Sequence, residues 1–209
     1  MKQTELNFEK LGKSFQILKK LSTPQKIQDF LNTFPFNFEK KGETHSSVKL
    51  SLERGTLHCF EGALVAACAL WIQGRKPLLL DLKASKEDMD HTVALFKEGN
   101  KWGAISKTNH GVLRYREPIY KSVRELVMSY FHEYFLNNGK KTLRSFSKPF
   151  DLTRVDTDWL HTDENLAHLA HVLDKSPHTD ILSKKEIKNL RLADKVEIET
   201  GKIVEYKST

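Results

Sequence analysis

The sequence turns on Thr56-Leu57-His58-Cys59-Phe60-Glu61-Gly62-Ala63-Leu64-Val65-Ala66-Ala67-Cys68-Ala69-Leu70-Trp71-Ile72. Residues 60–72 are apolar on nearly every face, which predicts a helix buried at the centre of a domain. These thirteen residues are too few to cross a bilayer, which takes about 20. Cys59 stands at the N-terminal end of this helix, flanked by the polar His58 and Glu61. There the helix dipole and the unpaired backbone N–H groups favour thiolate, so Cys59 is the candidate nucleophile. Cys68, set among alanines, reads as a small buried hydrophobe.

A nucleophilic thiol needs a base. His91 opens a segment, residues 91–96, that reads as a strand, and its neutral imidazole can take the thiol proton and return it to a leaving group. A third group must hold the imidazole tautomer. On the following strand the polar residues are Ser106, Thr108 and Asn109, with Asp81 and Asp90 as substitutes elsewhere. Ser106 and Asn109 are the candidates carried forward, and no carboxylate stands among the residues of that strand end.

No metal or cofactor is expected. His58, Cys59, Asp90 and His91 are all ligand types, but neighbours on a helix point different ways and no Cys-x-x-Cys or His-x-x-x-His spacing occurs among them. His168 and His171 share one helix face and read as part of a wet surface helix. No Gly-rich phosphate loop or nucleotide signature is present.

Around the central helix the chain predicts the following order. Residues 1–20 form a loosely packed N-terminal arm. Ser22-Thr23-Pro24 opens a helix over 24–33, and residues 32–44 form a loop with Phe34, Phe36 and Phe38 available to the core. His45-Ser46-Ser47 opens a short helix carrying Val48, Leu50 and Leu52, which Gly55 breaks. Beyond the C-cap glycine Gly74, strands are expected at 77–82, 91–96 and 102–106, with turn chemistry at 98–101. A fourth strand is expected at 113–116, then a helix over 122–136. Residues 145–150 read as an irregular, linker-like crossing, followed by helices at 163–173 and 183–193 and a small hairpin over 196–206.

The 209 residues suit one domain with an appendage, or two small ones, and 39% hydrophobic with 29% charged residues fits a globular chain. No secretory signal is expected at the N-terminus. Cys59 and Cys68 lie roughly 13 Å apart along one helix, too far for a disulfide, and the reading is a reduced, cytoplasmic protein. The net charge of +7 comes from scattered pairs such as Lys19-Lys20 and Lys140-Lys141. Nucleic acid is therefore not the expected partner, and neither is a membrane.

This order of elements resembles the transglutaminase-like superfamily, whose core is papain-like. There a cysteine starts the central helix, a histidine opens the next strand of a sheet, and an aspartate ends the strand after it. Cys59 with its helix matches the first element, Asp90-His91-Thr92-Val93-Ala94-Leu95-Phe96 the second, and Trp102-Gly103-Ala104-Ile105-Ser106 the third. Ser106 falls where the superfamily has aspartate. The resemblance covers about residues 45–120, and the wording around His58-Cys59-Phe60-Glu61-Gly62-Ala63 is similar to bacterial members. It implies an α+β fold with a papain-like core, the buried helix packed on an antiparallel sheet. Residues 1–140 would hold that core and the N-terminal helical arm, and residues 141–209 a helical extension packed on it. The activity implied is cysteine-dependent acyl transfer on a peptide or small amide, as hydrolase, peptidase or transamidase. Cys59 would attack, His91 would relay the proton, and Ser106 or Asn109 would orient His91. The alternative is an inactive member of the fold that binds a peptide or small molecule.

Overall fold

Local chemistry sets where each helix begins. The structure, a computed structural model, describes residues 12, 15–40 and 42–207. Helix α1, Pro24–Asn32, starts on Thr23, whose hydroxyl accepts from Lys26 N–H, with proline at the first position. Helix α2, Val48–Arg54, is capped by the Ser47 hydroxyl and stopped by Gly55 in the left-handed region. Helix α3, Cys59–Ile72, is buried at every residue from 60 to 70. Each Leu or Val it removes from water contributes about 1.5–3 kcal/mol, so the helix is the apolar centre that its sequence predicts.

Two hairpins follow. Strand β1, Leu78–Ala84, pairs antiparallel with β2, His91–Glu98, and β2 with β3, Lys101–Ile105, about a turn in which Gly99 takes positive φ. Strand β4, Arg116–Tyr120, lies outside β3. The fourth strand thus begins three residues later than expected, because Leu113 has a φ of 60°, which no extended strand accommodates.

Helix α4, Val123–Phe131, is capped by the Ser122 hydroxyl and stops five residues short of the expected end. Beyond it, Leu136 N–H donates to Lys140 and Thr142 N–H to Tyr134, a tight pairing that competes with further helix. Residues 145–150 are not a linker. Strand β5, Leu143–Ser147, pairs with β1 over Leu82–Ala84, and the short β6, Phe150–Asp151, pairs with Leu78 and Leu79 of the same strand. Helices α5, Asp158–His161, and α6, Ala167–Asp174, precede β7, His178–Asp180, which pairs with β5. Helix α7, Lys184–Lys188, is shorter than expected. The expected hairpin at 196–206 is mostly helix α8, Lys195–Gly201, because the Asp194 and Glu197 carboxylates form a capping box.

The fold is therefore α+β, with eight α-helices and a seven-stranded antiparallel sheet among the described residues. The strand order is β4-β3-β2-β1-β5-β7, with β6 beside β1. The segment after residue 140 contributes helices, and it also contributes β5, β6 and β7 to this one sheet. Strand alternation splits the core between the sheet's faces. Leu79, Ala94, Phe96 and Ile105 pack with α3, whereas Leu80, Leu82, Val93 and Leu95 pack with Leu126, Val127 and Tyr130 of α4. Of the expected N-terminal arm, residues 1–11, 13 and 14 lie outside the described residues. Phe15 and Leu18, by contrast, are fully buried against the α3 cluster rather than loosely packed. No helix among the described residues is long and apolar enough to cross a membrane.

Candidate active site

Cys59 is the first residue of α3, and its side chain is only partly buried, where Cys68 is wholly so. The cap before it is His58, whose Nδ1 lies 3.3 Å from Phe60 N–H and whose backbone N–H donates to the Glu61 carboxylate at 3.2 Å. The His58 ring is tethered at its other nitrogen, with Nε2 2.6 Å from the Thr44 carbonyl, so Nε2–H donates there. Glu61 and Glu39 each place a carboxylate oxygen 3.6 Å from the same nitrogen. Glu61 is completely buried. Burial opposes its charge, but His58, Arg54 (2.5 Å away) and Asn37 keep its carboxyl below the ordinary value.

His91 is the first residue of β2. Alternation sets it on the α4 side with Val93 and Leu95, not on the face that packs α3. It meets Cys59 at the end of the sheet, because each is the terminal residue of its element. Its Nε2 is 2.8 Å from the Ser106 hydroxyl, and that hydroxyl donates its proton to the Leu113 carbonyl at 2.6 Å. Ser106 must then accept from His91. The neutral imidazole consequently carries its proton on Nε2, which leaves the Nδ1 lone pair for the Cys59 thiol.

Ser106 is itself fixed from α1. Gln28 accepts from Ser106 N–H at 2.9 Å and donates to its carbonyl at 2.8 Å. Leu113, in its left-handed conformation, is held by a 2.7 Å bond from its N–H to Glu133, which in turn pairs with Arg116 at 2.6 Å. Such strain is retained where the surroundings over-determine it.

Cys59 lies between two imidazoles. Burial would raise its thiol, but hydrogen bonds from His58 and His91, together with their charges, hold it well below the ordinary cysteine value. His58 moves the other way, to about 9: burial lowers it, and the bond to and charge of Cys59, then Glu61 and the Thr44 carbonyl, more than offset that. The buried Cys68 thiol is pushed up by burial alone.

Two clefts share Cys59, Met89 and Asp90. One, of about 240 Å³, runs past His91, Leu113 and Tyr134. The other, of about 510 Å³, runs past His58, His45 and His171. A substrate lying across the sulfur has room on both sides.

Among the expected site residues, Cys59, His91 and Ser106 converge. Asn109 does not join them. Its amide is closed on the chain's own tail, donating to the Tyr206 carbonyl and accepting from Tyr206 N–H, both at 2.9 Å. Thr108 accepts from His110 N–H. Asp81 accepts from His178 at 3.1 Å and Asp90 from Ala84 N–H at 2.7 Å, so both carboxylates are engaged away from His91. Among the described residues the one cluster with converging ligand atoms is Asp81, Asp90 and Asp174, within 4.8 Å of one another; Lys83 pairs with Asp174 there. Gln28, the Leu113 carbonyl and the pairing of His58 with Cys59 were not expected. The capping-box spacing His58 to Glu61 was the one signal that could have drawn attention to His58.

The chain matches no known family model and no curated protein.

Proposed function

We propose that this chain is a cysteine-dependent acyl-transfer enzyme with a papain-like core, related to the transglutaminase-like superfamily, acting on an amide bond of a peptide or small molecule in a reduced, cytoplasmic setting. The observation that carries the reading is the Cys59 thiol at a helix start, faced by a His91 whose tautomer Ser106 dictates. The thiol proton passes to His91 Nδ1 and the sulfur attacks the carbonyl carbon. A C–S bond forms as the C=O π pair moves to oxygen, which the Cys59 N–H at the helix start supports. The tetrahedral intermediate collapses, the C–N bond breaks, and the leaving nitrogen takes the proton from His91. Water or an amine then attacks the thioester, gives a proton to His91, and releases the acyl group as Cys59 regains its thiol proton.

A serine where the superfamily has a carboxylate favours one second reading, a binder of peptides or small molecules that no longer turns over. Alkylation by iodoacetamide across pH tests the enzyme reading. The expected result is modification of Cys59 alone, fast well below pH 8 and slowed in His91→Ala. Alkylation with the profile of a free thiol near pH 8.5, indifferent to His91→Ala, would sink it. Activated alkylation without turnover of any amide library would select the binder.

A further inference from the structure

We infer that His58 is a fixed cation beside Cys59, held by the Thr44 carbonyl and the Glu61 and Glu39 carboxylates, and that it stabilises the thiolate while His91 carries the moving proton. The inference rests on the reading of Cys59 as the nucleophile. It locates a carboxylate in the site after all, behind the other histidine.

Three features of the first turn of α3 support it. Nε2–H of His58 is committed to the Thr44 carbonyl at 2.6 Å, so any change of protonation falls on Nδ1, the nitrogen turned toward the helix start. At 3.3 Å, the acceptance from Phe60 N–H is a long bond and a weak reason to keep Nδ1 unprotonated. Two carboxylates, that of Glu39 and the fully buried one of Glu61, stand 3.6 Å from Nε2, the second also paired with Arg54 at 2.5 Å. A protonated Nδ1 gives up the Phe60 contact and donates to the sulfur instead, a charge-assisted bond about twice as strong as a neutral one.

Among the described residues, Glu43, Asp81, Asp90, His171 and Asp174 share the cleft that His58 lines, and the groups in close contact with its ring are fewer. Its own helix supplies Cys59 and Glu61, and the preceding loop supplies Glu39 and the edge-on ring of His45, whose centroid is 6.2 Å away. Arg54 of α2 reaches Glu61 rather than His58, and His91 of β2 lies across the sulfur. Carboxylates and thiolate therefore outnumber cations around the ring, and the shift of His58 to about 9 agrees with that balance. The division of labour follows: one imidazole, backed by carboxylates, keeps its proton, and the other, backed only by a hydroxyl, exchanges it.

Two measurements on the full chain test this. First, the pH profile of iodoacetamide alkylation is compared among the wild type, His58→Asn and His91→Asn. Asparagine keeps the N-cap and removes the cation. The inference expects His58→Asn to move the alkylation midpoint up by a pH unit or more, a tenfold or greater slowing at pH 6; an unmoved midpoint overturns it. Second, histidine NMR titration of the wild-type protein needs no variant. Alkylation of Cys59 removes the thiolate, and the His58 titration must then fall by about a unit or more. A purely structural cap would titrate identically before and after, which overturns the inference even if His58→Asn does not fold. A wild-type Cys59 with an ordinary thiol profile is a different result: it defeats the proposed function itself.

Discussion

The Ser106 hydroxyl stands 2.8 Å from His91 Nε2 and 2.6 Å from the Leu113 carbonyl, and having one proton it donates to Leu113 and accepts from His91. The geometry gives His91 its tautomer without giving it a counter-charge. The hydroxyl orients the His91 ring as a carboxylate would and offers no charge to an imidazolium. Ser106→Ala should therefore leave His91 Nε2–H unpaired, at a cost of about 1–3 kcal/mol, and lower the Cys59 alkylation rate at neutral pH by about tenfold. Ser106→Asp should not improve the site, because the new carboxylate would face the Leu113 carbonyl. Faster alkylation in the aspartate variant than in wild type would contradict this account.

Gln28 of α1 clamps the backbone of Ser106 from both sides, at 2.9 and 2.8 Å. Gln28→Ala leaves a buried N–H and a buried carbonyl without partners, and urea unfolding should show a loss of about 2–3 kcal/mol. Gln28→Glu keeps the acceptor for Ser106 N–H but sets a carboxylate against the Ser106 carbonyl. It should be the worse of the two at pH 7 and recover toward pH 4. Equal stability of the two variants across that range would show that the clamp is not what fixes Ser106.

The central helix and the place of Cys59 at its start were legible because they rest on local signals. Continuous apolar composition over 60–72 leaves one fate for the segment, and a thiol at its first residue has one electrostatic setting. Strands β1 to β3 were legible for the same reason, since short apolar runs were separated by turn residues. The strand at Leu143–Ser147 was hidden because its sequence, Leu-Arg-Ser-Phe-Ser, carries little hydrophobic alternation, and its pairing with β1 is decided some sixty residues away. The end of α4 was lost to a pairing of residues 134–136 with 140–142 that no helical periodicity can report. Asn109 shared a strand end with Ser106 in sequence, yet a tail residue, Tyr206, captured its side chain. His58 was visible as a neighbour of Cys59, but its carboxylate partners became apparent only once the chain was folded.

Gly62 and Lys107 set the spacing between α3 and the segment that carries Ser106. A Cβ at Gly62 would lie 2.4 Å from Lys107 Cβ, an atom too close to its own backbone to swing aside. Gly62→Ala gains about 1 kcal/mol of helix propensity, and overpacking of about 1–3 kcal/mol or more opposes it. The variant should be less stable than wild type in thermal unfolding, and His91→Asn should affect its alkylation less than it does in the wild type. A more stable Gly62→Ala protein would show that α3 can shift without cost.

Asp81 gives the fold a pH dependence of its own. Burial, and then the neighbouring charge of Asp90, push its carboxyl up to about 6 despite the hydrogen bond from His178. A carboxyl raised on folding stabilises the fold in its neutral form. That stability is fully present below the unfolded value near 4 and is lost as pH rises through about 6. Linkage makes the loss on the order of 2–4 kcal/mol, and the residue is only 4% exposed, so solvent screening reduces it little. Asp81→Asn keeps an acceptor for His178 and abolishes the titration. Urea unfolding of both proteins at pH 4, 5.5 and 7 should therefore show the variant gaining on the wild type as pH rises, with nearly all of the gain reached by pH 7. Stability curves that stay parallel over this range would mean that Asp81 titrates alike in the folded and unfolded protein, with His178 and Lys83 offsetting its burial.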